Sequence, residues 1–153
     1  MHRYTATITW EDSQNNFQTG QYSRAHSWAF DGGITVEASA SPLVVRLPFS
    51  KAAAVDPEEA FVASIASCHM LTFLYIAGKA KFIIRKYADE AIGMVEKNAA
   101  GKEWVSRVEL NPRIDFEGIR PSPAELAQLH ELAHQDCFIA NSVKTEIAVN
   151  QIS

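Results

Sequence analysis

Three groups of residues have the types and spacing to do chemistry. The first is His130-Glu131-Leu132-Ala133-His134, an H-E-x-x-H pattern. On a helix its two histidines would lie one turn apart and bind zinc, with Glu131 activating a water for hydrolysis. A helix rich in Glu, Ala, Leu and His produces the pattern by accident. The apolar stripe Leu126, Leu129 and Ala133 leaves His130, Glu131 and His134 near the polar edge, and no distal third ligand follows. A solvated face of an amphipathic helix is therefore the simpler reading, and no metal is expected. The second group is Cys68 and Cys137. Each alone reads as a small buried hydrophobe. Together they also suit a thiol peroxidase, which needs one reactive thiolate and a second thiol to capture the sulfenic acid. The third is Arg24 with His26 and Glu58. An arginine lowers the pKa of a nearby thiolate and a carboxylate holds the guanidinium, but spacing alone does not separate these residues from an ordinary surface.

The elements that must carry these residues follow from periodicity. Tyr4–Trp10 and Tyr22–Phe30 alternate as half-buried strands, the second placing Tyr22, Arg24, His26, Trp28 and Phe30 on one face. Asp31-Gly32-Gly33 is a hairpin turn into a returning strand at Ile34–Ala38. Ser39–Val55 is a connection with an extended piece at Leu43–Leu47. Asp56 caps a helix that opens with Pro57, Glu58 and Glu59 and runs to about Gly78. Phe82–Lys97 and Trp104–Phe116 are two long strands joined by a turn at Asn98–Lys102. Pro121-Ser122-Pro123 opens a second helix over Ala124–Asp136, and Val143–Val149 is the last strand. The order β-β-β-α-β-β-α-β predicts an α+β fold with a strongly antiparallel sheet, and no dinucleotide or phosphate-loop motif is present.

Composition narrows the function classes. The 153 residues suit one domain, 1–153, and 47% apolar with 21% charged residues is a soluble globular composition. A net charge of −4 with scattered basic residues gives no footprint for nucleic acid. Ala60–Ala77 carries no Lys, Arg, Asp or Glu and is nearly long enough to span a bilayer. Its Ser64, Ser67, Cys68, His69 and Thr72 instead predict a helix buried on nearly all sides inside a soluble domain, with no membrane partner. Two cysteines do not build a disulfide scaffold, and Met1–Glu11 has no apolar signal region. A cytoplasmic, reducing location is expected.

Three segments resemble the OsmC/Ohr superfamily of osmotically inducible and organic hydroperoxide resistance proteins. The segment from Asp56 to Leu71, with Ala-Ser-Cys68-His, resembles its signature helix, and the segment from Ala133 to Ser142 resembles its second cysteine segment. Tyr22–Gly33 is a looser match. The resemblance implies an OsmC-like fold: antiparallel-rich sheets packed around a long buried central helix, in an intertwined homodimer. It implies a peroxidase acting on organic hydroperoxides, reset by a dithiol reductant of lipoyl or thioredoxin type, with no cofactor. Carried over by position, Cys68 is the reactive cysteine, Cys137 the resolving cysteine, Glu58 the carboxylate ten positions before Cys68, and Arg24 the arginine. Arg24 sits in a strand-like segment where Ohr-type members have a Gly-rich loop, and Phe138 stands where many members have proline. The alternatives are a redox-silent binding domain on the same fold and a zinc hydrolase using His130, Glu131 and His134.

Overall fold

The structure is a computed structural model and describes residues 1–150. Within the 153 residues expected to form one domain, contacts cluster into two compact units, Met1–Ala60 and the segment from Phe61 onward. In the first unit, β1 (Ala6–Thr9), β2 (His26–Phe30) and β3 (Thr35–Ala38) form an antiparallel sheet in that order. Trp28 stands opposite Ile8 on one side and Val36 on the other, as the alternation of these segments requires. The predicted second strand is shorter than its pattern. Tyr22 to Ala25 lie before β2, because the Arg24 N–H donates to the Phe49 carbonyl at 2.8 Å rather than to a neighbouring strand. The extended piece expected at Leu43–Leu47 is instead a set of turns, with the Val44 and Val45 N–H groups both donating to the Ser41 carbonyl.

Helix α1 (Pro57–Lys79) starts where its sequence says it should. The Asp56 carboxylate accepts from the Glu59 N–H at 2.8 Å, and Glu59 reaches back to the Asp56 N–H at 3.2 Å. This reciprocal pair satisfies two of the free N–H groups of the first turn. Neither Pro nor Gly interrupts α1 before Gly78, and it remains one helix over 23 residues. Its buried residues fall four apart, Ile65, His69, Phe73 and Ala77. That interval is one face of a helix. Burial is confined to this stripe in the single chain: Leu71 and Tyr75 are 61% and 65% exposed. Burial on nearly all sides, as composition alone predicted, is not met within one chain.

The two long strands predicted after α1 are each broken once. The first becomes β4 (Ile83–Asp89) and β5 (Ile92–Lys97), the second β6 (Glu103–Leu110) and β7 (Pro112–Glu117). β4 pairs with β7 and β5 with β6, both antiparallel, so one long hairpin is divided between two sheets. Asn111 occupies the break. Its N–H donates to the Asp89 carboxylate at 2.7 Å and its side-chain amide donates to the Glu90 carbonyl at 2.9 Å. Pro112 has no N–H to continue the ladder and restricts Asn111 before it. Helix α2 (Pro123–Asp136) opens on a capping box between Ser122 and Glu125. β8 (Glu146–Val149) then pairs parallel to β6, the one parallel neighbour among the described strands.

Two apolar cores result in the second unit. One joins Phe73 and Ala77 of α1 to Leu129 and Ala133 of α2 over the β4–β7 pair. The other joins Ile65 of α1 to Val108 and Leu110 of β6. Helix α1 closes on the β5–β6 pair so tightly that a Cβ on Gly93 would lie 2.5 Å from Val62 Cγ2. Val has essentially one χ1 rotamer in a helix and cannot swing away cheaply. Gly93→Ala is expected to destabilise the protein by about 1–3 kcal/mol, and to cost close to nothing in a Val62→Ala background. Urea unfolding of the two single variants and the double variant measures that coupling.

Candidate thiol site

Cys68 lies three turns into α1 and is half-buried, with its carbonyl accepting from the Thr72 hydroxyl at 2.9 Å. Cys137 ends α2 in an extended conformation and is 1% exposed. Asn141 holds this helix end: its side-chain amide donates to the Gln135 carbonyl at 2.7 Å and to the Cys137 carbonyl at 3.1 Å. These local bonds satisfy carbonyls that the last helical turn leaves free. The two cysteines, 69 positions apart, meet as free thiols with sulfurs 2.8 Å apart. The Cys137 S–H donates to the Cys68 sulfur. Burial pushes the Cys137 thiol up, and the Cys68 sulfur beside it adds to that, against a smaller opposing effect from the Ala140 N–H at 3.4 Å. Chemically the pair can hold one nucleophilic sulfur with a second sulfur in immediate reach.

The third predicted group lies in the first unit. Arg24 donates through Nη1 to the Gly20 carbonyl at 3.2 Å and to the Tyr22 carbonyl, and its guanidinium lies 3.7 Å from the Tyr22 ring centroid. The strand placement of Arg24 is therefore corrected: it follows a turn built on Phe17–Thr19 and Gly20, ahead of β2. His26 connects this segment to the sheet. Its Nε2 accepts from the Trp28 indole N–H at 3.0 Å, so its Nδ1 carries the proton that reaches the Arg24 carbonyl at 2.7 Å. Trp10, Phe17, Tyr22 and Arg24 line an apolar cleft of about 440 Å³ in this unit. Glu58 is half-buried in the first turn of α1. Among the described residues no ion pair joins Arg24 to Glu58.

The H-E-x-x-H segment is placed differently from its expected solvated face. His130 is 4% exposed and His69 2% exposed, and His69 Nε2 lies 3.0 Å from His130 Nδ1. Glu131 points outward and accepts from Gln135 at 2.8 Å. The apolar face of α2 is wider than its leucines and alanines suggested, because the ring of His130 stacks on Phe73 with centroids 4.4 Å apart. Among the described residues no group of three potential ligands could hold a metal. The sequence places His69 in the buried helix but does not pair it with His130. The signal for that burial was available, since His69 is four positions from both Ile65 and Phe73 in an uncharged helix.

This arrangement has known relatives. The sequence profile of the family described as OsmC-like protein matches residues 50–151. No curated protein sequence matches the chain. Among solved structures, an OsmC-like protein of unknown function from Vibrio cholerae is 49% identical, with a TM-score of 0.96 over 99% of this chain and 100% of that one. An organic hydroperoxide resistance protein from Elizabethkingia anophelis is 21% identical, with a TM-score of 0.71 over 97% of this chain and 93% of that one. One from Legionella pneumophila is 14% identical, with a TM-score of 0.66 over 98% and 95%. At the last two identities what is shared is the fold. The fold is α+β, with two helices and antiparallel-rich sheets. The chain belongs to the OsmC-like family of the OsmC/Ohr superfamily.

Burial and the neighbouring imidazoles hold the pKa of His69 down at about 4, and burial holds His130 at about 4. In the unfolded chain both titrate near 6.5. Between these values the unfolded chain binds protons that the folded chain refuses, so stability falls as pH drops through that window and levels off below it. The loss is expected to be on the order of 3 kcal/mol or more for the pair, since His130 is itself part of what holds His69 down. Urea unfolding at about pH 7.5 and about pH 4.5 measures it, and His130→Asn should reduce it.

Proposed function

We propose that the protein is a thiol-dependent peroxidase that reduces organic hydroperoxides to alcohols. The observation that carries this reading is the 2.8 Å approach of Cys68 and Cys137, with the buried thiol donating to the more accessible one. The Cys68 thiolate attacks the distal peroxide oxygen, and the O–O bond breaks. The alkoxide leaves and takes a proton to become the alcohol, and Cys68 becomes a sulfenic acid. Cys137 then attacks the sulfenic sulfur, forming a disulfide and releasing water. A dithiol reductant, of lipoyl or thioredoxin type, exchanges with this disulfide and regenerates both thiols while being oxidised itself. Such a cycle belongs in a reducing compartment, which for this chain is the cytoplasm. Family relatives described as organic hydroperoxide resistance proteins support the substrate class.

Arg24 and Glu58 enter this reading through the resemblance, as the cation that stabilises the thiolate and departing alkoxide and the carboxylate that holds it. Glu58 and Cys68 are ten positions apart on continuous α1, roughly 15 Å along the axis. A Glu and an Arg side chain do not span that distance. The reading therefore assigns Arg24 and Glu58 of one chain to Cys68 of a second, in a homodimer. The exposure of Leu71 and Tyr75 on a largely uncharged helix supports a second chain over that face.

Cys68→Ser is expected to abolish turnover with cumene hydroperoxide. Cys137→Ser should permit one oxidation and leave a sulfenate that dimedone traps. Coupled turnover and intact mass after one equivalent of hydroperoxide measure both. Activity of Cys68→Ser equal to wild type overturns the enzyme reading and leaves a redox-silent binding domain. In a second test, inactive Cys68→Ser chains are mixed with inactive Glu58→Ala chains under conditions of verified exchange. Sites shared between chains should recover part of the activity, and no recovery rejects the cross-chain assignment.

A further inference from the structure

Helices α1 and α2 meet through two polar contacts, and only the sulfur contact has a role in the reaction proposed above. The other is the His69–His130 hydrogen bond. Cys68 and His69 are consecutive in α1, while His130 and Cys137 are seven positions apart on α2, two turns along one face. Between them lies Ala133, fully buried and small enough to let the helices approach closely.

The geometry of the imidazole pair is directional. The ring planes differ by 10° and the centroids are 5.3 Å apart. That separation is close to the 3.0 Å N···N distance plus the two ring radii, so the rings lie end to end in nearly one plane. One nitrogen donates along the lone pair of the other. Two metal ligands would instead aim both lone pairs at a third point. Phe73, stacked on His130, fixes the plane of that ring. Burying two imidazoles costs desolvation that an apolar pair would not. What the pair supplies is register. The neighbouring contacts among Phe73, Ala77, Leu129 and Ala133 are apolar and non-directional, whereas a buried polar pair tolerates only one alignment.

We propose that His130, through its hydrogen bond to His69, is a positioning residue for the resolving step: it sets α2 along α1 so that Cys137 is held against Cys68. The inference rests on the peroxidase reading for its place in a cycle, but it also concerns the dithiol–disulfide equilibrium, which needs no peroxide. Neither histidine touches the sulfurs in any hydrogen bond, so the first oxidation of Cys68 does not depend on the pair.

The test compares the full-length wild type with three variants. His130→Phe keeps a ring against Phe73 and removes the nitrogen. His130→Asn places an amide near the position of Nδ1, and His69→Gln does the same for Nε2. After one equivalent of cumene hydroperoxide, sulfenate is trapped with dimedone and disulfide is counted by mass. His130→Phe should form sulfenate within about twofold of wild type and close the disulfide about tenfold more slowly or worse, with sulfinic acid accumulating. In glutathione redox buffers its equilibrium should shift toward the dithiol by about tenfold, because the effective concentration of one thiol at the other falls. His130→Asn and His69→Gln should recover most of both. Wild-type disulfide kinetics and equilibrium in His130→Phe would overturn the proposal. So would an equal slowing of both steps that the amide variants fail to rescue, which marks a merely structural residue. If hydroperoxide oxidises neither wild type nor variants while the glutathione equilibrium still depends on His130, the positioning role stands and the peroxidase reading falls.

Discussion

Helix α1 carries one buried residue every four positions, and both apolar cores of the second unit close on that stripe. Ile65 belongs to the core against β6, Phe73 and Ala77 to the core against α2 and the β4–β7 pair, and His69 lies between them. The sheets divide where they do because a single straight helix has to be covered by two of them. The break at Glu90–Ala91 opposite Asn111 is the point at which the long hairpin passes from one core to the other. A substitution on the stripe therefore acts on the sheet that its own core covers.

The thiol site inherits its properties from this helix. Cys68 is next to the stripe rather than on it, so its sulfur stays partly accessible, while Cys137 at the end of α2 is drawn inside. The difference in burial separates two chemically identical groups. The inner thiol is held protonated by desolvation and donates, and the outer sulfur accepts. This asymmetry is what a two-thiol cycle requires, since one sulfur must meet a peroxide and the other must wait for the product.

Polar groups in the same interior follow the same logic. His69 and His130 satisfy each other and remain neutral because water does not reach them. The pair occupies the place where an apolar residue would have been cheaper, between the two cores. A buried directional bond at that point restricts how the helices slide, which apolar packing alone does not.

Much of this was legible in the residues themselves. Asp56-Pro57-Glu58-Glu59 announces the start of α1, Ser122-Pro123 that of α2, and Asp31-Gly32-Gly33 the first hairpin, because caps and turns are decided by neighbours in the chain. The segments around Cys68 and Cys137 were sufficient to place the family. Periodicity failed where a strand changes partner. Nothing in the alternation of Phe82–Lys97 says that its halves belong to different sheets, although Asn111-Pro112 marks the matching break. It failed again at His130, whose side chain looked polar until Phe73 and His69 covered it. The meeting of Cys68 with Cys137 is likewise a tertiary fact, since 68 residues and four strands lie between them and only the packing of α2 on α1 brings the sulfurs within 2.8 Å. Local chemistry along the chain determines where elements begin and end. Which faces are buried, and which thiol is desolvated, depends on what the fold brings from far away in sequence, because desolvation is a property of surroundings and not of the residue.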